Sequence, residues 1–339
     1  MNRDALNRYI SPRTRQALTI RAGECDAIME GALVGAADES YPVEGGIVDF
    51  TAGLMLEGAD SQARISYDAQ AGEAYANAMR WLWEAFLENE EKVRTQILDE
   101  LDIQPGQAIL EVGCGAGADS LRIAKRMKGG ELYLQDISRG MLVECQKNFA
   151  MNADVGADRV EFSVSLTSPL PFADAQFDRV FHFGGLNMFS DIAGALSEMA
   201  RVTKKAGKVV VGDESVGPWL RGDDFGRIVI NNNPLYRAKL PLDMLPVSAR
   251  DVRVQYLVSN TFYLISFGVG EGAPSLNLDL PHQGRRGGTL RTRFYGQLEG
   301  VSVEAREMAQ KAAAASGKSM HQWLDELVRR QAQQDLKKP

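Results

Sequence analysis

The chain has 339 residues, 45% of them hydrophobic, which suits one large packed domain with appendages or two modest domains. The net charge of −7 is uneven: residues 285–339 carry 11 Lys and Arg against 6 Asp and Glu, and the remainder carries 27 against 39. A body this acidic would repel a phosphate backbone, so nucleic acid is an unlikely partner unless the basic C-terminal part binds it.

The cysteines and histidines predict neither a disulfide framework nor a structural metal. Cys25, Cys114 and Cys145 lie far apart, and the three histidines are equally scattered. The first residues lack the apolar stretch of a signal peptide, and no run approaches the roughly 20 apolar residues that a spanning helix needs. We therefore expect a soluble chain in the reducing cytoplasm, with no membrane partner.

The N-terminal third is predicted to contain a small module and a helical lid. Residues 1–60 are expected to form short strands and turns, with the clearest strand pattern at 41–50. Residues 61–95 are predicted to be the lid, because apolar residues from Met79 to Leu87 recur at helical spacing. The charged run after Leu87 is interpreted as a solvated face, whereas Trp81 and Trp83 fit either core packing or a substrate-facing position.

Residues 96–270 alternate short apolar strands with helical stretches. Strands are predicted at 108–113, 131–136, 159–165, 177–183 and 208–214, followed by an antiparallel hairpin around Ser259 and Asn260. Apolar strands alternating with helices form a parallel sheet covered on both faces. The prediction is thus an α/β fold with a doubly wound, Rossmann-like, seven-stranded sheet, whose ligand site lies at the carboxyl ends of the strands.

The first of these strands ends in the segment Glu111 to Gly117, immediately before a helix. Its glycines permit sharp turns and close approach to a ligand, and the helix N-terminus offers free amide donors. A nucleotide-like ligand is expected there, although Gly113, Gly115 and Ala118 also fit the dinucleotide fingerprint, and a tight turn without a ligand is possible. Asp136 ends the second strand, where a carboxylate can accept hydrogen bonds from both ribose hydroxyls of a nucleotide-like cofactor. This acid therefore does not tell a dinucleotide from another nucleotide-like cofactor.

Four ordered segments resemble the class I S-adenosylmethionine (SAM) dependent methyltransferases, in the branch that includes ubiquinone and menaquinone methyltransferases. They are ILEVGCGAG (109–117), LQDIS (134–138), LPF followed by FDRV (170–180), and EMARVTKKAGKVVVGDE (198–214). The resemblance spans residues 95–270. It implies a methyltransferase with SAM as cofactor.

The resemblance also implies roles for individual residues. Glu111 would orient the methionine amino group and Asp136 would hold the ribose. The full cofactor set is expected to be Glu111, Gly113, Cys114, Gly115, Gly117, Asp136, Ile137, Ser165, Leu166, Phe183 and Gly184. Many relatives carry an acid just before LPF that binds adenine, but Ser165, Leu166 and Thr167 stand here.

Methyl transfer mainly requires alignment in a dry pocket, so a catalytic base is optional. If one is used, His182, Asp213 and Glu214 are candidates because they lie at the ends of two predicted strands. His182 equally fits a core histidine, and the two acids fit structural roles. Gly185 and Asn187 are the candidate substrate contacts.

Two flanking segments carry weaker resemblances. YPVEGGI (41–47) resembles the end of a zinc-ribbon-like module of the type found in a tRNA methyltransferase activator, without its metal-binding cysteines. Residues 289–330 resemble a ribbon-helix-helix protein: an alternating strand, a helix capped by Ser302, and a second helix with a capping box at Ser319 and Gln322.

Residues 298–339 are accordingly predicted to form a two-helix C-terminal module. Its second helix would carry an apolar stripe formed by Met320, Trp323, Leu324, Leu327 and Val328. This stripe could pack on the same chain, form a homodimer or accompany DNA binding. Residues 271–297 are predicted to form a Gly- and Arg-rich loop, in which Arg285 and Arg286 fit either a solvated surface or contact with an acidic group.

The leading hypothesis is a methyltransferase that acts on a small molecule. The alternatives are an RNA or protein methyltransferase, a non-catalytic SAM-binding regulatory protein, and an NAD-dependent oxidoreductase, which the segment 169–189 disfavours.

Overall fold

The computed structural model describes residues 1–21, 27–36, 39–70, 72–152, 156–285, 287–295 and 301–337. The chain divides into two units, residues 1–273 and 274–339. Cys25 and Arg286, both named above, lie outside the described residues.

Five parallel strands form the centre of the sheet, as the alternating pattern predicts. They are β5 (Ala108–Val112), β6 (Glu131–Asp136), β7 (Arg159–Val164), β8 (Phe177–Phe183) and β9 (Thr203–Glu214), and they lie side by side in the order β7-β6-β5-β8-β9. All five residues of β5 are buried, as expected for a strand covered on both faces. The predicted strands are confirmed; only β9 begins earlier than expected.

The sheet continues beyond both edges of this centre. At one edge, β11 (Phe262–Val269) pairs antiparallel with β9, and β10 (Ala249–Leu257) pairs with β11, which confirms the predicted hairpin. At the other edge lie β1 (Thr19–Arg21), β2 (Glu30–Val34), β3 (Ser40–Glu44) and β4 (Ile47–Asp49), and β4 pairs in parallel with β7. The predicted count of seven strands is therefore wrong, because the N-terminal strands extend the same sheet to eleven strands within the described residues.

Helices cover both faces of the sheet in the first unit. They are α1 (Gly58–Gln70), α2 (Glu73–Ala85), α3 (Glu90–Leu101), α4 (Ala118–Arg126), α5 (Arg139–Ala150), α6 (Ile192–Val202) and α7 (Asp224–Asn232). Neighbouring β5 side chains serve opposite cores: Ile109 belongs to the core that includes residues of α3, α4 and α5, and Leu110 to the core that includes residues of α6.

Helix α1 is fixed at both ends to loops that follow the strands. Near its start, Asp60 accepts a hydrogen bond from the Ser190 hydroxyl at 2.6 Å. Near its end, Asp68 accepts one from the Ser138 hydroxyl at 2.6 Å, just before α5. The helix therefore reaches from the loop after β8 to the loop after β6, across the carboxyl ends of the central strands.

The second unit contains α8 (Leu290–Tyr295), α9 (Val303–Ala315) and α10 (Met320–Asp335). Ser302 caps α9, and Ser319 and Gln322 form the capping box of α10, as predicted. The alternating strand expected after Thr289 is instead the short helix α8. Within the described residues, no helix is long and apolar enough to cross a membrane.

Candidate functional site

The loop between β5 and α4 turns on three glycines in the left-handed region, with φ of +65° at Gly113, +55° at Gly115 and +86° at Gly117. Side-chain-bearing residues rarely adopt such angles. Two of the glycine amides are held by side chains of β6: Gly113 N donates to Gln135 Oε1 at 3.2 Å, and Gly115 N donates to Asp136 Oδ2 at 2.8 Å.

Asp136 links this loop to the start of α5. Its second oxygen, Oδ1, accepts a hydrogen bond from Ser138 N at 2.8 Å. The carboxyl is only 6% exposed, and burial raises its pKa to about 6 although the backbone amides of Ser138 and Gly115 act in the opposite direction.

A cavity of about 440 Å³ opens beside this loop, at the carboxyl ends of the strands and beneath α1 and α2. Most of the predicted site residues line it. They are Glu111, Gly113, Cys114, Gly115, Asp136, Ile137, Ser165, Leu166, His182, Phe183, Gly184, Gly185 and Glu214. The cavity has two sides, one at β6 and β7 around Asp136, and one at β8 and β9 around Glu214.

Three predicted site residues do not line the cavity. A side chain at Gly117 would collide with the Cys145 thiol, so this glycine serves close packing of the loop on α5. Asp213 is fully buried and accepts hydrogen bonds from the amides of Gly185 (3.1 Å), Asn187 (2.5 Å) and Glu214 (2.8 Å). The Asn187 side-chain amide donates to the Glu214 carbonyl at 2.8 Å. Asp213 and Asn187 thus shape the loop after β8 rather than face the cavity.

His182 combines a core position with an unpaired ring nitrogen. Its Nδ1 lies 2.7 Å from the Val112 carbonyl oxygen, and its ring packs on Phe189. Burial lowers the pKa of His182, so the neutral ring donates through Nδ1–H and keeps an acceptor lone pair on Nε2. Among the described residues, Nε2 has no hydrogen-bond partner.

The Glu214 carboxyl is half-buried at the β9 end of the cavity. Burial and the neighbouring Asp213 raise the pKa of Glu214 well above its usual range. No Lys, Arg or His of the described residues pairs with it. It is therefore protonated near neutral pH in the absence of a ligand.

On the other side, Glu111 and Asp119 form an acidic pair around Arg94. Arg94 Nη1 donates to Asp119 Oδ2 at 2.6 Å and its Nε donates to Glu90 at 2.7 Å, while its guanidinium lies over the Trp83 ring. Burial alone would lower the pKa of Arg94, but Asp119 and Glu90 together raise it above its usual value. Glu111 Oε2 and Asp119 Oδ1 are buried without a partner among the described residues.

Arg94 was missed by the sequence analysis, and the interpretation of its segment as a solvated face is wrong at this position. Arg94 is only 6% exposed. It stands three and four residues before the buried Ile97 and Leu98, so helical spacing already places it on the packed face.

The lid residues Tyr67 and Tyr75 were also missed. A Cβ on Gly115 would lie 3.8 Å from the Tyr75 hydroxyl, and one on Gly185 would lie 3.5 Å from the Tyr67 hydroxyl. Of the two lid tryptophans, Trp83 is buried and lines the cavity, whereas Trp81 is 54% exposed. The helical spacing of apolar residues predicted a lid in this region. It did not identify the tyrosines, because tyrosine occurs in many roles on amphipathic helices.

The cavity wall is rich in carboxyl groups, and burial raises the pKa of two of them, Glu111 and Glu214. Five carboxyl groups line it, those of Asp60, Glu111, Asp119, Asp136 and Glu214, and Arg94 is the one Lys or Arg among the described lining residues. Such a wall favours a cationic ligand and disfavours an anionic one.

Residues 109–207 match a family model described as a methyltransferase domain. This match, which covers under a third of the chain, confirms the predicted resemblance to methyltransferases for this segment. The zinc-ribbon-like and ribbon-helix-helix-like resemblances of the flanking segments remain predictions.

Three curated relatives align with the same region. A demethylmenaquinone methyltransferase of Beutenbergia cavernae is 35% identical over 37% of this chain and 48% of its own length. A ubiquinone/menaquinone biosynthesis C-methyltransferase of Paracoccus denitrificans is 33% identical over 42% of this chain and 62% of its own. A methyltransferase of Streptomyces halstedii is 27% identical over 53% and 67%. The chain spans about half to two thirds of these relatives.

The raised pKa of Asp136 predicts a pH-dependent stability. The folded protein holds this proton more tightly than the unfolded chain, whose Asp pKa is near 3.8, so the stabilisation is complete below about pH 4 and is lost as the pH rises through about 6. We expect the free energy of unfolding of the original protein, relative to Asp136→Asn, to fall by about 2 kcal/mol between pH 4.5 and 7.5.

Urea unfolding of both proteins at the two pH values measures this difference. Other buried acids titrate equally in both proteins and cancel. A difference that stays constant with pH would contradict the assignment.

Proposed function

We propose that the chain is a SAM-dependent methyltransferase that acts on a small molecule. The observation that carries the proposal is the cavity wall at the ends of β5 and β6, where an open glycine turn, Asp136 and two unpaired buried acceptors meet. The match of residues 109–207 to a methyltransferase domain and the names of the curated relatives support it.

The residues present fit SAM. A Cβ on Gly115 would have only the Tyr75 hydroxyl nearby, so this turn leaves room for a ligand against the backbone. Asp136 would accept hydrogen bonds from the ribose hydroxyls, and its pKa near 6 keeps it mostly ionised at neutral pH. Glu111 and Arg94 would hold the amino and carboxylate groups of the methionine moiety.

The rest of the cofactor surface is less polar. Ser165, Leu166 and Thr167 line the cavity after β7 and would contact the adenine. No acid stands at these three positions, so we propose that adenine is held there by apolar contact and backbone groups. The carboxyl-rich wall suits SAM as a whole, because SAM carries two positive groups, its sulfonium and its ammonium, and only one carboxylate.

When bound, SAM supplies a methyl group on positively charged sulfur. The chain's own part is to exclude water and to orient the acceptor. The lid helices α1 and α2, through Tyr67, Tyr75 and Trp83, cover the cavity, and the aromatic rings of Phe183 and Phe189 line its β8 side. On that side a proton can be accepted by His182 Nε2, and by Glu214 once a bound cation has lowered its pKa.

The proposal is tested by calorimetric titration of the full chain with S-adenosylhomocysteine and NAD, and by transfer of labelled methyl from SAM into a metabolite extract. We expect S-adenosylhomocysteine to bind and NAD not to bind. Asp136→Ala should weaken S-adenosylhomocysteine binding by about 1 to 3 kcal/mol, the usual cost of leaving polar ligand groups unpaired. Unchanged affinity in a folded variant would contradict the site, and binding without any transfer would favour a regulatory protein.

Gly115→Val should abolish S-adenosylhomocysteine binding, because its branched side chain would enter the ligand's space. The matched control is Gly106→Val, in the turn before β5, since Gly106 has a φ of +72° and open space but does not line the cavity. Both variants carry similar backbone strain. Equal loss of binding in both variants, or tight binding by Gly115→Val, would contradict the assignment.

We also propose that the second unit, residues 274–339, joins two copies of the chain. Among the described residues of this unit, the buried apolar side chains are those of Ala309 and Ala313. Met308 and Val328 are 71% and 61% exposed. A short helical unit with so little core of its own usually needs a partner.

The full chain is therefore expected to be a dimer by light scattering, and a chain that ends at Ala273 is expected to be a monomer with unchanged affinity for S-adenosylhomocysteine. A monomeric full chain, or a dimeric truncated one, would refute this association.

A further inference from the structure

We propose that the methyl acceptor is an amine, bound as its ammonium cation by Glu214 within a wall of aromatic rings. The proposal rests on the proposed methyltransferase function and adds the chemical class of the substrate. It draws on three properties of the β8–β9 side of the cavity: charge, unpaired acceptors and aromatic faces.

The first property is a carboxyl group without a cationic partner. Arg94, the one cationic side chain on the described wall, is already paired with Asp119 and Glu90 on the other side of the cavity. Glu214 has no cationic partner in the described part of the chain, and Asp213, buried behind it, adds a second carboxylate. An anionic acceptor, such as a phosphate or a carboxylate, would find no cationic partner here.

The second property is a surplus of hydrogen-bond acceptors. The Glu214 carboxyl faces the cavity, and the lone pair of His182 Nε2, on a ring that is 1% exposed and lines the same cavity, has no partner among the described residues. An ammonium group offers two or three N–H donors, whereas a hydroxyl offers one. The surplus therefore suits an amine better than an alcohol or a phenol.

The third property is the aromatic lining. The rings of Tyr67, Phe183, Phe189 and Phe262 line this side, and Phe183 and Phe262 are stacked with centroids 5.8 Å apart. Aromatic faces attract cations when water is excluded. Aromatic rings around a carboxyl form a site for an organic cation rather than for a metal ion, which would take several oxygen ligands.

The raised pKa of Glu214 agrees with this assignment. Burial without an opposite charge raises it, and a cation within a few ångströms would lower it again, so that ammonium and carboxylate form together.

The ammonium nitrogen first gives one proton to the Glu214 carboxylate. Its freed lone pair forms the new N–C bond while the S–C bond breaks, and the electron pair of that bond remains on sulfur. The product is a methylated ammonium ion.

Three probes of matched shape test the proposal: benzylamine, benzyl alcohol and benzoate, which are cationic, neutral and anionic. Each is titrated by calorimetry into the full chain saturated with S-adenosylhomocysteine, so that the readout does not depend on turnover. We expect benzylamine to bind at least tenfold more tightly than benzyl alcohol and benzoate not to bind. Benzyl alcohol binding as tightly as benzylamine would overturn the amine assignment and favour a neutral oxygen or carbon acceptor.

Glu214→Gln should lower benzylamine affinity at least tenfold and leave the affinity for S-adenosylhomocysteine unchanged. The matched control is Glu84→Gln, which makes the same substitution on the exposed face of α2 and should leave benzylamine affinity unchanged. Equal effects of the two variants would overturn the role of Glu214. Failure of S-adenosylhomocysteine to bind the original chain would instead refute the proposed function, whereas intact cofactor binding without amine preference would refute only this inference.

Discussion

The two hydrogen bonds accepted by the Asp136 carboxylate fix the geometry of the site. One oxygen accepts the Gly115 amide and the other accepts the Ser138 amide, so a single buried side chain fixes the turn after β5 and the turn after β6 relative to each other. Ser138 in turn donates to Asp68 of α1, which extends the same chain of contacts into the lid. The arrangement carries a desolvation cost, visible in the raised pKa of Asp136. A buried acid held by two amides rather than by a cation keeps part of its capacity to accept bonds from a ligand.

The cost of burying a carboxyl group also bears on the many acids of the cavity wall. Buried carboxyls are normally paired with cations, and an unpaired one is destabilising unless it is protonated or a ligand supplies the opposite charge. Arg94 satisfies Asp119 and Glu90, but Glu111 and Glu214 are left without cationic partners in the described structure. Glu111 lies near the end of β5 and Glu214 at the end of β9, so the two acids face the cavity from different strands. The distribution of unpaired acids is thus what a site for a cationic donor and a cationic acceptor would require.

The central fold was predictable because its determinants are local. The strands β5 and β6 are short, largely apolar runs that end just before Gly113 and at Asp136, and a local pattern of this kind identifies a buried strand without knowledge of its partners. The N-terminal strands were recognised as strands, but their place in the sheet was not. The pairing of β4 with β7 joins residues more than 100 positions apart, and nothing in a short window of sequence specifies that register. This is why seven strands were expected, whereas the described part of the chain contains eleven.

The candidate site was also only partly predictable from the sequence. Asp136 and the glycine turn follow from position alone, since residues at the carboxyl end of a parallel strand must lie at one edge of the sheet. Asp213 and Glu214 have equal standing by that argument, yet they differ in the structure: Asp213 is satisfied by three amides of the loop after β8, and Glu214 faces the cavity. The two acids differ because residues 184–187 turn back toward β9, where the backbone amides of this loop donate to Asp213 and not to Glu214. Sequence position identifies which acids can reach the site, but the partners supplied by distant loops decide which acid remains free to bind.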